Sequence, residues 1–421
     1  MIKGKEETSP LNRTRRPRFF YGYVIVLAAL FISVVMWGTR QTFGVFFEPV
    51  LDEFGWTRAI TSGGFSLSWI LTGLLSIGVG RLNDRFGPRI VMTIAGLLLS
   101  LGYLTMSRLS TLWQLYLFFG VISIGMSAAL VPLMSTVARW FVKIRALMTG
   151  VVLASTGIAM MVVLPVASQL ISNYGWRVSY IIIGILALVV IVSGAQFLKR
   201  DPGQIGQLPY GSDGVNAGGS NLEADGSSFR EALYTRQLWL LSGVYFCSYF
   251  LFYVFLVHII IHATGQGISP TKAVGIMAFM GGGGIAGRVL MGIVADRVGN
   301  KLSMVASSTL LVIALFWLLA AKDLWMLYLF GAIFGFGHGG LATMESPMVA
   351  EIFGMRTHGV LLGFVFFADT IGGAIAPVLA GYIFDVTSSY NLAFLLCTVI
   401  GVVDLILVLL LRPIRGLPGN K

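Results

Sequence analysis

Twelve apolar stretches, each long enough to cross a bilayer, take up almost the whole of this 421-residue chain. They fall at about 21–47, 59–80, 89–107, 112–138, 147–171, 177–198, 237–263, 270–294, 301–321, 324–350, 358–384 and 391–411, and a spanning helix needs roughly 20 apolar residues. Hydrocarbon offers no water to unpaired peptide groups, each of which costs several kcal/mol there, so spanning segments are helices or closed barrels. Runs of this length without period-two alternation predict helices and exclude a barrel. Charged residues make up 11% of the chain and hydrophobic ones 56%, against about one quarter charged in an ordinary soluble domain. A soluble enzyme is thereby excluded, and an all-α integral membrane protein with twelve transmembrane helices is expected.

The chain carries 29 Lys and Arg against 18 Asp and Glu, a net charge of +11, which in a soluble protein would suggest a nucleic-acid partner. The placement of the charges argues against one. With the N-terminus in the cytoplasm, 22 basic residues fall on that side, from Lys3, Lys5, Arg13, Arg15, Arg16 and Arg18 in one tail to Arg412, Arg415 and Lys421 in the other. Arg58, Arg108, Arg177, Lys272 and Lys322 fall outside, and Arg40 and Arg288 lie within spans. The positive-inside rule then places both termini in the cytoplasm. Spread over short loops facing anionic headgroups, the basic excess forms no stripe, so no nucleic acid is expected as a partner. The first apolar run is longer than a signal-peptide core and no small-residue cleavage site ends it, so no cleaved signal is expected. Cys247 and Cys397 lie inside apolar runs and read as small core residues, not as a disulfide or metal framework.

One long polar segment, about 199–236, holds Gly-Ser-Asp-Gly and Ala-Gly-Gly-Ser stretches and reads as a flexible linker. It divides the chain into a tail (1–20), six spans (21–198), the linker (199–236), six more spans (237–411) and a second tail (412–421). A motif recurs across it: Gly80-Arg-Leu-Asn-Asp84-Arg85-Phe-Gly87-Pro-Arg89 follows the second span, and Gly292-Ile-Val-Ala-Asp296-Arg297-Val-Gly299-Asn-Lys301 follows the eighth, 212 residues later. Recurrence at half-length, in the equivalent loop of each half, predicts two related six-helix bundles. The glycines allow close helix approach and a tight turn. Asp84, Arg85, Asp296 and Arg297 can form charge-assisted pairs across helix ends, and we read them as a cytoplasmic gate.

The motif Gly-x-Leu-x-Asp-Arg-x-Gly-x-Arg resembles the loop signature of the major facilitator superfamily, and the resemblance covers the whole chain. It implies the major facilitator fold and secondary transport by alternating access in the cell's inner (plasma) membrane, with no cofactor apart from a co-transported proton and with the monomer as the working unit. A second stretch, Trp140-Phe-Val-Lys143-Ile-Arg145-Ala-Leu147-Met-Thr-Gly150, is similar to the monocarboxylate transporter signature at the same place. Tyr21-Gly22-Tyr23, Phe43-Gly44-Val-Phe-Phe-Glu48-Pro49 and Glu53-Phe-Gly55-Trp56-Thr-Arg58 resemble bacterial members of the monocarboxylate and oxalate:formate carrier group.

A charge at the bilayer centre costs about 2.5–3.5 kcal/mol on insertion scales, so each one is a functional candidate. Arg288 follows Gly281-Gly-Gly-Gly284 and lies about 12 Å from the cytoplasmic end of its span, with Asp369 about 16 Å from the same face, at a rise of 1.5 Å per residue. At similar depth they can pair across the bundle, either as a lock between two helices or as a binding site in which the guanidinium holds a carboxylate bidentately. In carriers resembling this one, an arginine in span eight anchors the carboxylate, and Arg288 matches it. The chain departs from the animal carriers in having Gly284 where they place an aspartate four residues before that arginine. It departs from the oxalate carrier in having Asp369 where that carrier places a lysine. Replacing a second cation by an acid removes the charge needed for a dianion and supplies a protonatable group, so a monoanion travelling with a proton is expected. Arg288 would then bind the anion and Asp369, with Arg288, would couple the proton.

Other candidates are weaker. His258 in span seven can donate to a substrate carboxylate or sit at a wet helix end, and His262 lies nearer the outer loop. Arg40 near the outer end of span one either steers anions inward or snorkels to the headgroups. Glu345 and Asp404 read as solvated helix-end groups, and His338 as packing. Leu130 and Pro132 fall where related bacterial carriers often have a tyrosine, so Leu130 is expected to fit a short alkyl chain. Phe364, Phe366 and Phe367 read as core or lipid-facing aromatics. The expected cargo is a short monocarboxylate, L-lactate or pyruvate, in symport with a proton. An anion exchanger of the oxalate:formate kind is the alternative, and a multidrug/proton antiporter stands behind it. No P-loop, metal-ligand spacing or nucleophile motif is present, so no enzyme and no ATP-driven pump is expected.

Overall fold

The computed structural model describes residues 19–56, 58–212 and 226–412, so the basic cluster Lys3–Arg18, the middle of the linker and the end of the C-terminal tail lie outside the described residues. The described helices are α1 (Gly22–Gln41), α2 (Phe43–Phe54), α3 (Arg58–Phe86), α4 (Pro88–Met106), α5 (Leu112–Met126), α6 (Val131–Trp140), α7 (Arg145–Leu153), α8 (Ser155–Phe197), α9 (Phe229–Leu233), α10 (Arg236–Gly265), α11 (Pro270–Val298), α12 (Asn300–Ala320), α13 (Leu324–Thr343), α14 (Glu345–Phe353), α15 (His358–Thr387) and α16 (Asn391–Leu410). Eleven helical stretches are long and apolar enough to span a bilayer, the longest being Arg145–Phe197. That one makes two crossings. It bends at Gly175, whose φ of +76° only glycine adopts cheaply. Ser155 Oγ lies 2.7 Å from Ser33 Oγ, Val163 packs on Gly38 and, beyond the bend, Gly194 packs on Ile32. The chain therefore runs up and back past the same stretch of α1, which gives twelve crossings among the described residues.

Three of the expected spans are broken inside the membrane. Span four unwinds over 127–130 between α5 and α6, because Pro132 in the first turn of α6 has no amide to donate and disfavours a helical residue before it. Span ten breaks at Met344 between α13 and α14, and span five at Ala154 between α7 and α8. Leu130 and Met344 are separated by close to the motif offset, so equivalent points of the two halves are broken. Discontinuous helices at this depth leave backbone groups and helix ends free to meet a ligand.

Where helices touch, glycine sets the spacing. Gly283 and Gly287 on α11 press against the backbone of Ala332 and Phe336, and Gly331, Gly335 and Gly339 on α13 press back on Ile276, Met280 and Gly284. Four-residue spacing of small residues on both partners is the close-packed geometry of membrane helix pairs. It brings Arg288 and His338 into neighbouring walls. On the outer surface the apolar side chains of Ile90, Ile94, Leu97 and Leu101 lie half exposed along one face of α4, with Val91, Met92, Ala95 and Leu99 buried on the other. A helix apolar on both faces is what lipid requires.

The linker carries more structure than its composition predicts. Pro202–Ile205 forms a 3-10 turn and Phe229–Leu233 a short helix. Tyr210 donates its amide to Trp140 O (2.9 Å) and accepts from Val142 N (3.0 Å), and Ser227 donates to Phe353 O (3.0 Å). Each described end is thus stitched to the loop between the fourth and fifth spans of its own half.

Candidate functional site

The two halves meet along α3 against α15 and α7 against α11, on the side that carries Asp84 and Asp296, here termed the motif face. Asp84, on α3, accepts from the amides of Gly359 (3.2 Å) and Val360 (3.1 Å) at the start of α15. Asp296, on α11, accepts from Ala146 N (2.9 Å) and Leu147 N (2.8 Å) at the start of α7. The first amides of any helix lack intrahelical acceptors and carry the positive end of its dipole. Neither α7 nor α15 has a side-chain cap of its own, so each is capped by an aspartate from the opposite half. Higher up, Gly80 lies against the Gly359 carbonyl, Ser76 Oγ donates to Gly363 O (2.9 Å), and Gly150 abuts the Arg288 carbonyl. These contacts join the halves at successive levels from the motif face up to Arg288.

The motif arginines do not take the expected part. Arg85 and Arg297 are exposed, Arg85 lies 5.1 Å from the Phe86 ring centroid, and among the described residues neither forms an ion pair. The aspartates are satisfied by backbone amides, which leaves no geometric need for the adjacent arginines. The buried cation beside Asp84 is instead Arg139, which approaches Asp84 to 3.7 Å and Asp201 to 3.5 Å and donates to Met355 O at 3.1 Å. Arg145 Nε closes the preceding loop onto Ala138 O and Phe141 O, both at 3.1 Å. The sequence places both among basic loop residues, with no signal that separates them from solvated neighbours.

Above this seal a cavity of about 360 Å³ extends towards the opposite face. Arg288 and Asp369 both line it, together with Leu130, Tyr249, His338 and Arg40. Arg288 and Asp369 are not an ion pair. Both oxygens of Asp369 are buried without a hydrogen-bond partner, as is Arg288 Nε, and among the described residues the Arg288 guanidinium makes no hydrogen bond or ion pair. Its Nη1 lies over Gly284, close to where a Cβ there would stand (3.6 Å). With glycine at 284, the guanidinium can lie against its own helix there. Tyr249, unremarked in the sequence, also lines the cavity, its ring 5.2 Å from that of His338.

Three further residues lie elsewhere than expected. His258 is not in the cavity wall: Nδ1 lies 3.0 Å from Tyr390 Oη and Nε2 2.9 Å from Pro377 O, so both nitrogens are used in tying α10 to α15 and the loop before α16. A carbonyl only accepts, which puts the proton on Nε2 and leaves Nδ1 to accept from the tyrosine. His338, read as packing, faces the cavity with Nδ1 3.1 Å from Ser248 Oγ and its ring stacked on Phe252 at 4.4 Å. Arg40 does not snorkel. It is 4% exposed, donates to Thr72 Oγ1 at 3.2 Å and lies 3.7 Å over the Trp69 ring, a cation–π contact that shields the charge within the wall.

Sequence comparison decides the affiliation. The Major Facilitator Superfamily profile matches residues 26–294 and 241–420. The chain belongs to the Major Facilitator Superfamily. Among its relatives within that superfamily, monocarboxylate transporter 13 of Rattus norvegicus is 28% identical, over 91% of this chain and 87% of that protein. The human monocarboxylate transporter 11 is 25% identical over 89% and 80%, and the oxalate:formate antiporter of Oxalobacter formigenes is 26% identical over 96% and 94%. The crystal structure of the superfamily transporter FucP, in the outward conformation, superposes with a TM-score of 0.72 at 13% identity, covering 93% of this chain and 99% of that one. The protein is thus a multi-pass membrane transporter of this superfamily, not an enzyme. Apart from Leu130, in the unwound stretch of span four, the cavity-lining groups of this carrier sit on helices, and among the described residues no cluster of His, Cys, Asp and Glu has metal-binding geometry.

Proposed function

We propose that this carrier is a proton-coupled symporter of short monocarboxylates such as L-lactate and pyruvate. The observation that carries the reading is the pair of unsatisfied groups in one cavity wall: a guanidinium with free donors and, apart from it, a carboxyl group with no donor. A guanidinium of this kind binds a carboxylate through two parallel charge-assisted hydrogen bonds. A desolvated carboxyl without partners is costly as an anion and far less so as a neutral acid. Asp369 would take a proton from the open side of the cavity, Arg288 the substrate anion, and Leu130 with the aromatic lining the alkyl end. The loaded site adds no net charge, so the halves can close around it, while the caps at Asp84 and Asp296 open the other side. With the basic loops in the cytoplasm, the motif face is cytoplasmic, the state described faces outward, and the cell membrane is its place. The relatives' printed names support a small carboxylate cargo, and a monomer holds every group that the cycle uses.

A second reading, anion exchange of the oxalate:formate kind, is favoured by one observation: Arg40 places a second guanidinium in the same wall. The decisive assay is uptake of radiolabelled lactate, pyruvate, formate and oxalate into proteoliposomes. Symport predicts faster lactate uptake under an inward proton gradient, with acidification of the lumen. Exchange predicts uptake only into liposomes preloaded with counter-substrate, and that result alone would replace the first reading.

A further inference from the structure

Glu345 and Asp404, expected at solvated helix ends, are 3% and 0% exposed. Asp404 has a local account, since Ser308 Oγ donates to its Oδ2 at 2.7 Å. Glu345 has none. Its Oε1 is buried without a partner, as are both oxygens of Asp369, and α14 packs against α15, the helix that carries Asp369. Among the described residues no arginine or lysine pairs with either.

Their positions differ in a way that matters for transport. Asp369 lines the cavity, and Glu345 does not. Counting back from Phe353 and from His358, Glu345 lies about 12 Å and Asp369 about 16 Å from the motif face, at 1.5 Å per residue. Glu345 is therefore roughly one turn deeper into the seal. Its neighbour Ser346 donates across the halves to Met134 O at 3.4 Å, so Glu345 sits where α14 and α6 must part when the motif face opens. As the first residue of α14 it lies in that helix's first turn, where the dipole favours an anion.

We propose that Glu345 is the second half of the proton site, receiving the transported proton from Asp369 and releasing it on the motif side. This rests on the symport reading above. The transfer is balanced: the Asp369 carboxyl O–H breaks, the proton moves to a Glu345 carboxylate oxygen, and Asp369 is left as the anion facing Arg288. Passing the proton from one carboxyl to the other, once side-chain movement brings the two together, changes its side of access without substrate having to carry it. On α10, Tyr249 lines the cavity and Tyr245 Oη donates to Leu341 O at 3.1 Å, and Arg288 on α11 and His338 on α13 complete the cavity side. Towards the motif face stand His358, whose Nε2 lies 3.0 Å from Ser346 O and whose Nδ1 has no partner, and the gate cations Arg139 and Arg145.

The test uses the full-length carrier in proteoliposomes with radiolabelled lactate and a lumenal pH dye. In Glu345→Gln, lactate counterflow at equal pH should persist, because exchange needs no net proton release. Gradient-driven accumulation and lumenal acidification should fall by about tenfold or more, the scale on which a positioned proton-transfer group contributes. Glu345→Asp should restore both, with a displaced pH midpoint. A Gln variant that accumulates lactate and acidifies the lumen as wild type does overturns the proposal. If the Gln variant also loses counterflow, the Asp variant decides, and a pH midpoint equal to wild type overturns it. A wild-type carrier indifferent to the proton gradient overturns the symport reading and this one with it, and so is told apart from a failure at Glu345 alone.

Discussion

Arg288 and Asp369 line one cavity without touching: the guanidinium folds back over Gly284 on its own helix, and the carboxyl of Asp369 points into a wall that offers it no donor. A locked ion pair would have to be broken before an anion could bind. An unpaired guanidinium already has its donors free, which lowers the cost of accepting a carboxylate.

Arg288→Lys should keep the charge and lose the fork. Bidentate binding is replaced by a point contact on a shorter reach, and the half-saturating carboxylate concentration in counterflow should rise about tenfold or more, roughly 1.4 kcal/mol. An unchanged value would place the anion elsewhere in the cavity.

Asp84→Asn and Asp296→Asn should act alike, although they lie in different halves. Each keeps an acceptor oxygen and loses the charge on two amide bonds, so each should weaken closure of the motif face by about 1–2 kcal/mol. Spin-label distances between the two halves, measured across the motif face, should show a larger open population in both variants. An effect confined to one of them would contradict the equivalence of the two caps.

His258→Ala should damage the fold and spare the substrate. Two hydrogen bonds tying α10 to α15 and to Tyr390 are lost, worth about 2 kcal/mol together, so the melting temperature in detergent should drop. Half-saturation for lactate in the variant that still reconstitutes should match wild type, whereas a cavity-lining histidine would shift it.

Glu53, outside the apolar spans, accepts from Trp176 Nε1 at 2.8 Å and pairs with Arg177. The hydrogen bond from Arg177 holds its carboxyl below the usual carboxylate range. A depressed carboxyl contributes its stability above the unfolded value and loses it as pH falls through the folded one. The pair is 41% exposed on both sides, so it should be worth only about 0.2–1 kcal/mol. The melting difference between wild type and Glu53→Gln should therefore be small at pH 7 and vanish in strong acid.

The crossings were legible because hydrocarbon imposes one rule on every residue of a span, and the halves because a ten-residue motif recurs. Arg288 and Asp369 were legible for the same reason: charges in lipid are rare enough to be conspicuous. What escaped the sequence is whatever depends on which way a side chain turns. His258 and His338 are indistinguishable as histidines in apolar runs, yet one ties helices together and the other faces the cavity. Glu345 looked like a helix-end acid because distance along the chain does not reveal that α14 is covered by α6. Arg139 and Arg145 were lost among loop cations, since only the fold shows which of them the two halves enclose.

The aspartate caps carry a consequence for how this gate can change over time. Asp84 and Asp296 recognise peptide amides, and the peptide group is the same whatever side chain follows it. Residues 146, 147 and 360 can therefore drift without loosening the latch, provided that proline does not remove an amide and that the new side chain still fits, whereas position 359 is held to glycine because a Cβ there would stand 2.7 Å from Asp84 Oδ1. Each half grips the other by a handle that most substitutions leave in place, so the latch asks more of the two aspartates, and of the glycines beside them, than of the residues whose amides they hold.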